Sequence, residues 1–224
     1  MYKSFIKRLM DIIVSGVAII VLAIPMLGVA IAIKIDDPGP VLFKQKRIGV
    51  NKNGEITYFM IWKFRSMKMS TPHDVPTHLL SDPEQYITRV GKFIRKTSID
   101  ELPQIYQVFS GKISAIGPRP ALYNQIDLWE EREKYGANDI KPGITGWAQI
   151  NGRDELEIDV KAKFDGEYTA ALNSGFFKGV AMDLKCFFGT VVSVLRSDGV
   201  VEGGTGAVKK QEEKQREKQE EQVK

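Results

Sequence analysis

Two adjacent carboxylates, Asp100 and Glu101, stand in the run Ser98, Ile99, Asp100, Glu101, Leu102, Pro103, Gln104, just ahead of apolar Ile105, Tyr106, Val108 and Phe109. The pattern marks the start of a helix. One reading is a capping box, with Ser98 as cap and Glu101 reaching back to the Ser98 N–H. Pro103 argues against it: with Ser98 as cap, the proline falls in the second turn, where its missing N–H costs a hydrogen bond. With the cap at Ile99 or Asp100 it falls in the first turn, where donors are unpaired anyway. Both acids then sit at the positive end of a helix dipole, which favours their ionised forms. Carboxylates presented there serve as nucleophile, base or metal ligand. The two readings separate only if other groups converge on the same place.

Several cations are candidates to do so. In Gly117, Pro118, Arg119, Pro120, two prolines fix the backbone on either side of one guanidinium, and Pro120 is placed to open a helix expected over residues 121–135. Arginine pairs bidentately with phosphate, whereas a rigid surface turn would leave Arg119 incidental. Residues 56–67 alternate, with Tyr58, Met60, Trp62 and Phe64 on one strand face and Lys63 and Arg65 on the other. This describes either a solvated basic face on a hairpin packed through its aromatics, or two cations held toward a phosphate. Arg95 lies in the last turn of a helix expected over residues 86–96, which delivers the chain to Asp100. Asp165 and Glu167 follow on a further helix, after a Gly/Pro loop over residues 141–149 whose Trp147 would wall a base or fill a buried turn. His73, Asp74 and His78 lie in a Pro/Thr/Ser-rich stretch without a helical frame or third metal ligand, and a loop over the site is the expected use.

The elements that hold these residues start with an apolar one. Residues 12–33 carry no charge, long enough to cross a bilayer. Pro25 interrupts the run, and basic residues flank it on both sides: Lys3, Lys7 and Arg8 before, Lys34, Lys44, Lys46 and Arg47 after. A signal peptide would have a shorter core. A spanning helix would show asymmetric charge. A helix that enters, breaks at Pro25 and returns puts both basic flanks on one face, although transmembrane helices also tolerate proline. Asp36 to Pro40 form a turn, and two strands joined around Asn51 to Gly54 make a hairpin. Residues 176–195 have helical apolar spacing that suits a core or a membrane interface, and residues 207–224 read as a charged, solvated tail.

The 224 residues, 43% hydrophobic and 27% charged, suit one folded domain with appendages. Residues 1–47 hold seven Lys/Arg against three Asp/Glu, so the basic excess flanks the apolar run and fits an anionic membrane surface better than nucleic acid. Cys186 is the single cysteine, which excludes an intramolecular disulfide.

Taken together, Lys7, Arg8 and Asp11; Trp62 to Met67; Asp100 to Gln104; Gly117 to Pro120; and Lys141 to Gln149 with Asn151 and Gly152 resemble, in order, the motifs of bacterial sugar transferases of the monotopic phosphoglycosyl transferase superfamily, in the small form holding little besides the catalytic domain. The resemblance implies an α+β fold, mostly helical and membrane-associated, with a small β-hairpin. It also implies a division into a re-entrant helix-break-helix membrane element (1–36), a cytosolic catalytic domain (37–206) and the tail (207–224). The family's membrane element breaks at a Ser-Pro pair; here Ile24 precedes Pro25.

The implied activity is transfer of a sugar 1-phosphate from a UDP-sugar to undecaprenyl phosphate with release of UMP, at the cytoplasmic face of the bacterial cell membrane, as the first step of capsule, exopolysaccharide or glycoprotein assembly. Carried over, Asp100 is the nucleophile and Glu101 binds Mg2+ or assists the acceptor. Lys63, Arg65, Arg95, Arg119 with Pro118 and Pro120, and Asp165 contact substrate. The donor sugar and the oligomeric state are left open. The alternatives are a membrane-attached module that binds nucleotide or anionic lipid without turnover, and a phosphohydrolase with water as acceptor.

Overall fold

The computed structural model describes residues 2–51, 54–71, 83–152 and 156–196. His73, Asp74, His78 and the charged tail lie outside them. After a π-helical turn at Tyr2–Ile6 come α1 (Lys7–Asp36) and the antiparallel hairpin of β1 (Leu42–Ile48) and β2 (Tyr58–Phe64). Then follow α2 (Arg89–Lys96), α3 (Gln104–Phe109), β3 (Ser114–Ile116), α4 (Ile126–Glu133), β4 (Gly143–Thr145), α5 (Trp147–Ile150), α6 (Ile158–Asn173) and α7 (Phe176–Arg196). β3 and β4 form a short parallel pair. The fold is mostly helical with small sheets, as the sequence led us to expect.

α1 departs from expectation. It is helical for 30 residues through Pro25, with no non-helical residue separating two helices there. Proline deletes one backbone donor, and the bonds on either side carry the helix past it. At 1.5 Å per residue the helix is about 45 Å long, more than the hydrocarbon thickness of a bilayer. Its buried positions, Asp11, Ser15, Met26 and Ile33, follow one stripe, while Ile20 and Ile24 are 78% and 83% exposed. A soluble core helix would hide such residues.

Both ends of α1 are tied to the rest of the chain by charged groups. At the start, Lys7 Nζ lies 2.7 Å from Asp183 of α7, Arg8 donates to the Val108 and Phe109 carbonyls at 2.6 and 2.7 Å, and Asp11 accepts from Ser114 and from the Ala115 N–H. At the end, Asp36 accepts the Val90 N–H at 2.9 Å, and Asp37 pairs with Arg65. Met26 and Ile33 meanwhile pack with Phe64 and Ile94, which joins α1 to β2 and α2.

Of the two readings left open for the hairpin, Lys63 follows the second, meeting the acid pair from the face of buried Ile61. On the other face Tyr58 and Met60 are 45% and 44% exposed, and only Phe64 at the strand's end is buried, against α1. α3 holds the open edge of β2, its Gln107 side chain accepting from the Trp62 N–H at 2.9 Å and donating to the Met60 carbonyl at 2.7 Å. The helix after Pro120 is also shorter than expected, starting at Ile126 after a turn in which Gln125 Oε1 accepts the Leu122 N–H.

Candidate active site

The acid pair does not cap a helix. Ser98 adopts a left-handed conformation (φ 56°) and makes no side-chain cap bond; Ile99–Glu101 is a 3-10 turn, and α3 begins at Gln104 with Pro103 as its cap residue. Glu101 turns instead toward two cations. Its Oε1 lies 2.8 Å from Lys63 Nζ and 2.7 Å from Arg119 Nη2, and Oε2 is engaged less tightly, 3.4 Å from Nη1. Asp100 Oδ2 is 3.7 Å from the same Lys63. Its carboxylate accepts no hydrogen bond among the described residues.

These surroundings push the two neighbours apart. Burial raises the Asp100 carboxyl above the ordinary aspartate range; Lys63 pulls against that, Glu101 adds to it, and Arg95 and Arg119 oppose it more weakly. Burial acts on Glu101 in the same direction, but Arg119 and Lys63 outweigh it and hold that carboxyl well below the usual range. Adjacent acids with diverging proton affinities can take different chemical roles. Glu101 is the fixed anion that organises the cations, and Asp100 is the one left with free acceptor capacity.

Each cation is aimed by its backbone. Lys63 follows Trp62, whose N–H Gln107 holds. Around Arg119, Thr145 accepts the Gly117 N–H at 2.7 Å, Pro118 accepts the Gly143 N–H at 2.9 Å, Arg132 donates to the Arg119 carbonyl at 2.9 Å, and Arg47 donates to the Pro120 carbonyl at 3.0 Å. This close approach explains the glycines, since a Cβ on Gly143 would stand 2.1 Å from the Gly117 nitrogen. Arg132 is itself gripped by fully buried Asp165, at 2.8 Å through Nε and 2.5 Å through Nη2. Arg95 closes α2, whose first turn is capped by Thr88 Oγ1 accepting from the Gly91 N–H at 2.8 Å.

A family model described as bacterial sugar transferase matches residues 2–197. The UDP-glucose:undecaprenyl-phosphate glucose-1-phosphate transferase of Escherichia coli (strain K12) is 37% identical over 197 residues, 84% of this chain and 40% of that protein. The chain belongs to the bacterial sugar transferase family. Another family member, the uncharacterized sugar transferase EpsL of Bacillus subtilis (strain 168), is 37% identical over 87% of this chain and 90% of its own length. The UDP-N-acetylgalactosamine-undecaprenyl-phosphate N-acetylgalactosaminephosphotransferase of Aeromonas hydrophila is 36% identical over 88% of this chain and 45% of its own length. The chain thus spans less than half the length of the Escherichia coli and Aeromonas proteins.

In this sugar transferase family member, the structure gathers Asp100, Glu101, Lys63 and Arg119 at one point, with Arg95 close enough to act on Asp100. Two expected substrate contacts lie elsewhere. Arg65 is buried and bonded to the carboxylate and carbonyl of Asp37, so it fastens the end of α1 to β2. Asp165 is also buried, and it reaches the site only through Arg132. Pro118 and Pro120 are buried and shape the loop while Arg119 stays partly exposed. Trp147 is half-buried at the start of α5, packs edge-on against Phe164 and donates to Glu167 at 2.8 Å. Arg132 and Gln107 were missed. Arg132 sits in a run of Glu and Lys that reads as solvated surface, and a glutamine in a short apolar helix carries no signal.

The site suits Mg2+ in one mode, with few protein ligands and substrate phosphates completing the shell. Glu101 Oε1 is taken by two cations, which leaves the less engaged Oε2 as the available donor. Among the described residues no three His, Cys, Asp or Glu converge on one point.

Proposed function

We propose that the chain transfers a sugar 1-phosphate from a UDP-sugar to undecaprenyl phosphate, releasing UMP, through a phosphosugar ester on Asp100. The observation that carries this reading is a buried carboxylate accepting no hydrogen bond, beside a glutamate that holds two cations in place. An Asp100 oxygen attacks the phosphorus next to the sugar, the bond from that phosphorus to the bridging oxygen breaks, and UMP leaves with that oxygen. A phosphate oxygen of the acceptor then attacks the same phosphorus, the ester bond to Asp100 breaks, and the carboxylate is regenerated. Dividing the transfer lets one cationic site receive two anionic substrates in turn.

Lys63, Arg95 and Arg119 offset the charge that gathers on the diphosphate, and Glu101 holds Lys63 and Arg119 side by side on one oxygen. Mg2+ held by Glu101 Oε2 and substrate oxygens would supply further charge neutralisation. The relatives named for glucose and N-acetylgalactosamine make UDP-hexoses the donors to try first.

α1 sits in the bilayer from one side. Its exposed apolar surface calls for lipid, yet Arg8 and Asp11 at one end and Asp36 and Asp37 at the other bind the same folded unit. A helix crossing the membrane would part those contacts. Basic residues at both flanks favour the cytoplasmic face for that side. The test is UMP release from a panel of UDP-sugars by detergent-solubilised protein, with and without undecaprenyl phosphate. Release that requires acceptor and Asp100 supports the reading; acceptor-independent release of sugar phosphate into water would replace it with hydrolysis.

A further inference from the structure

Outside the site, the hairpin carries a ladder of lysines and aromatic rings on the side away from Lys63. Lys46 Nζ stands 4.4 Å from the ring centre of Tyr58 and 5.8 Å from that of Tyr123, while Lys44 and Lys112 lie 5.8 and 5.7 Å from that of Trp62. All three lysines are exposed, as are Tyr58, Met60 and Tyr123, and none of the three has an acidic partner among the described residues. An ordinary solvated face mixes both signs of charge. This one pairs unneutralised cations with amphipathic rings, the side-chain mixture favoured where water meets lipid headgroups.

Two connections place the ladder beside α1. β1 starts six residues after α1 ends, and the exposed Leu42 and Phe43 lead into Lys44. At the other end of α1, Arg8 binds the last carbonyls of α3, and Lys112 follows that helix by three residues. The same α3 holds β2 through Gln107 at Met60 and Trp62. We infer that the outer face of the hairpin docks on an anionic bilayer surface through Lys44, Lys46 and Lys112, with Tyr58, Trp62 and Tyr123 seated among the headgroups. This rests on the membrane reading of α1. Because neighbouring strand residues point to opposite faces, a hairpin held by lipid at Trp62 turns Lys63 toward Asp100 and Glu101, so the contact also orients a cation of the site.

The test uses the full chain in nanodiscs of phosphatidylcholine alone or with phosphatidylglycerol. A fluorophore is attached through Met60→Cys, Cys186 being fully buried, and a headgroup spin-labelled lipid is the quencher. Quenching in the anionic discs, weaker in the neutral ones, is expected. Each lysine at such a surface is worth roughly a fivefold gain in docked population, so K44Q/K46Q/K112Q together should abolish the difference. Equal quenching in both lipids, or quenching unchanged in the triple variant, would overturn the inference. A second label at Ile20→Cys, read with an acyl-chain quencher, separates the two readings. If it is quenched while the hairpin label is not, the hairpin faces some other occupant and only this inference fails; if neither is quenched, the membrane reading of α1 fails with it.

Discussion

Among the described residues lysine meets a buried carboxylate in two clusters, and they are built to opposite ends. Asp183 is saturated: Tyr2 and Lys7 meet Oδ2 at 2.5 and 2.7 Å, and Tyr168 donates to Oδ1 at 2.7 Å. Burial and that carboxylate raise the Tyr2 and Tyr168 hydroxyls well above the ordinary tyrosine range, and the Cys186 thiol nearby is pushed up to about 12. All three stay neutral at physiological pH. Asp100 keeps one loose contact, at 3.7 Å, and its proton affinity is raised because burial is incompletely compensated. A carboxylate that accepts three hydrogen bonds joins helices. One that is buried and underused is available for attack on phosphorus.

Exchanging the acids separates these roles most sharply. Asp100→Asn should lower turnover by roughly a thousandfold or more while leaving the melting temperature unchanged or higher, because the neutral amide removes a desolvated charge. Asp183→Asn strands buried Lys7 and should destabilise the fold by roughly 3–5 kcal/mol, read by denaturant unfolding, without a specific effect on the chemistry of the molecules that remain folded. Loss of activity and of stability together in Asp100→Asn would merge the clusters into one structural class.

Chelating divalent cations should reduce turnover by on the order of a hundredfold and leave thermal unfolding unmoved, since no described cluster of acids holds a metal without substrate. A melting temperature that falls with chelator would place the metal in the fold instead.

The pH profile refines the contrast further. On the proposed mechanism ionised Asp100 attacks phosphorus, so activity is lost as pH falls through its folded pKa, which lies above the ordinary aspartate range. The acid limb of kcat/KM should therefore sit higher than for an unperturbed aspartate. Lys63→Met removes the main opposing charge and should move the limb up; Glu101→Gln removes a like charge and should move it down. Identical limbs in both variants would contradict the electrostatic account.

The smallest effect on turnover is expected at Arg132. Arg132→Met should cost about tenfold in kcat of the folded protein with little change in donor KM, since the guanidinium holds the Arg119 carbonyl; because it also strands fully buried Asp165, it should lower stability as well. Arg132→Lys should restore part of it. A change confined to KM would make Arg132 a binding residue.

Legibility in the sequence followed the range of the interaction. The hairpin, α2, α6 and α7 declare themselves through local periodicity, and Asp100, Glu101 and Arg119 through adjacency and proline framing. What failed was long-range pairing. Strand alternation pairs Lys63 with Arg65, but Arg65 falls one residue past β2 and meets Asp37, supplied by the turn after α1. Asp165 looked like a site acid because nothing local shows Arg132 folding back upon it from 33 residues away. The uninterrupted α1 shows the same limit, since a proline announces a lost hydrogen bond without saying whether packing along Met26 and Ile33 sustains the helix.

The central claim, a covalent phosphosugar on Asp100, is tested most directly by intact-protein mass spectrometry after mixing with each UDP-sugar in the absence of undecaprenyl phosphate. The account predicts an added mass of one sugar phosphate, mapped to the Asp100 peptide, absent in Asp100→Asn and discharged when undecaprenyl phosphate is added. Turnover with acceptor present, but no adduct on rapid quench with the same donor, would mean direct transfer between substrates and would contradict it.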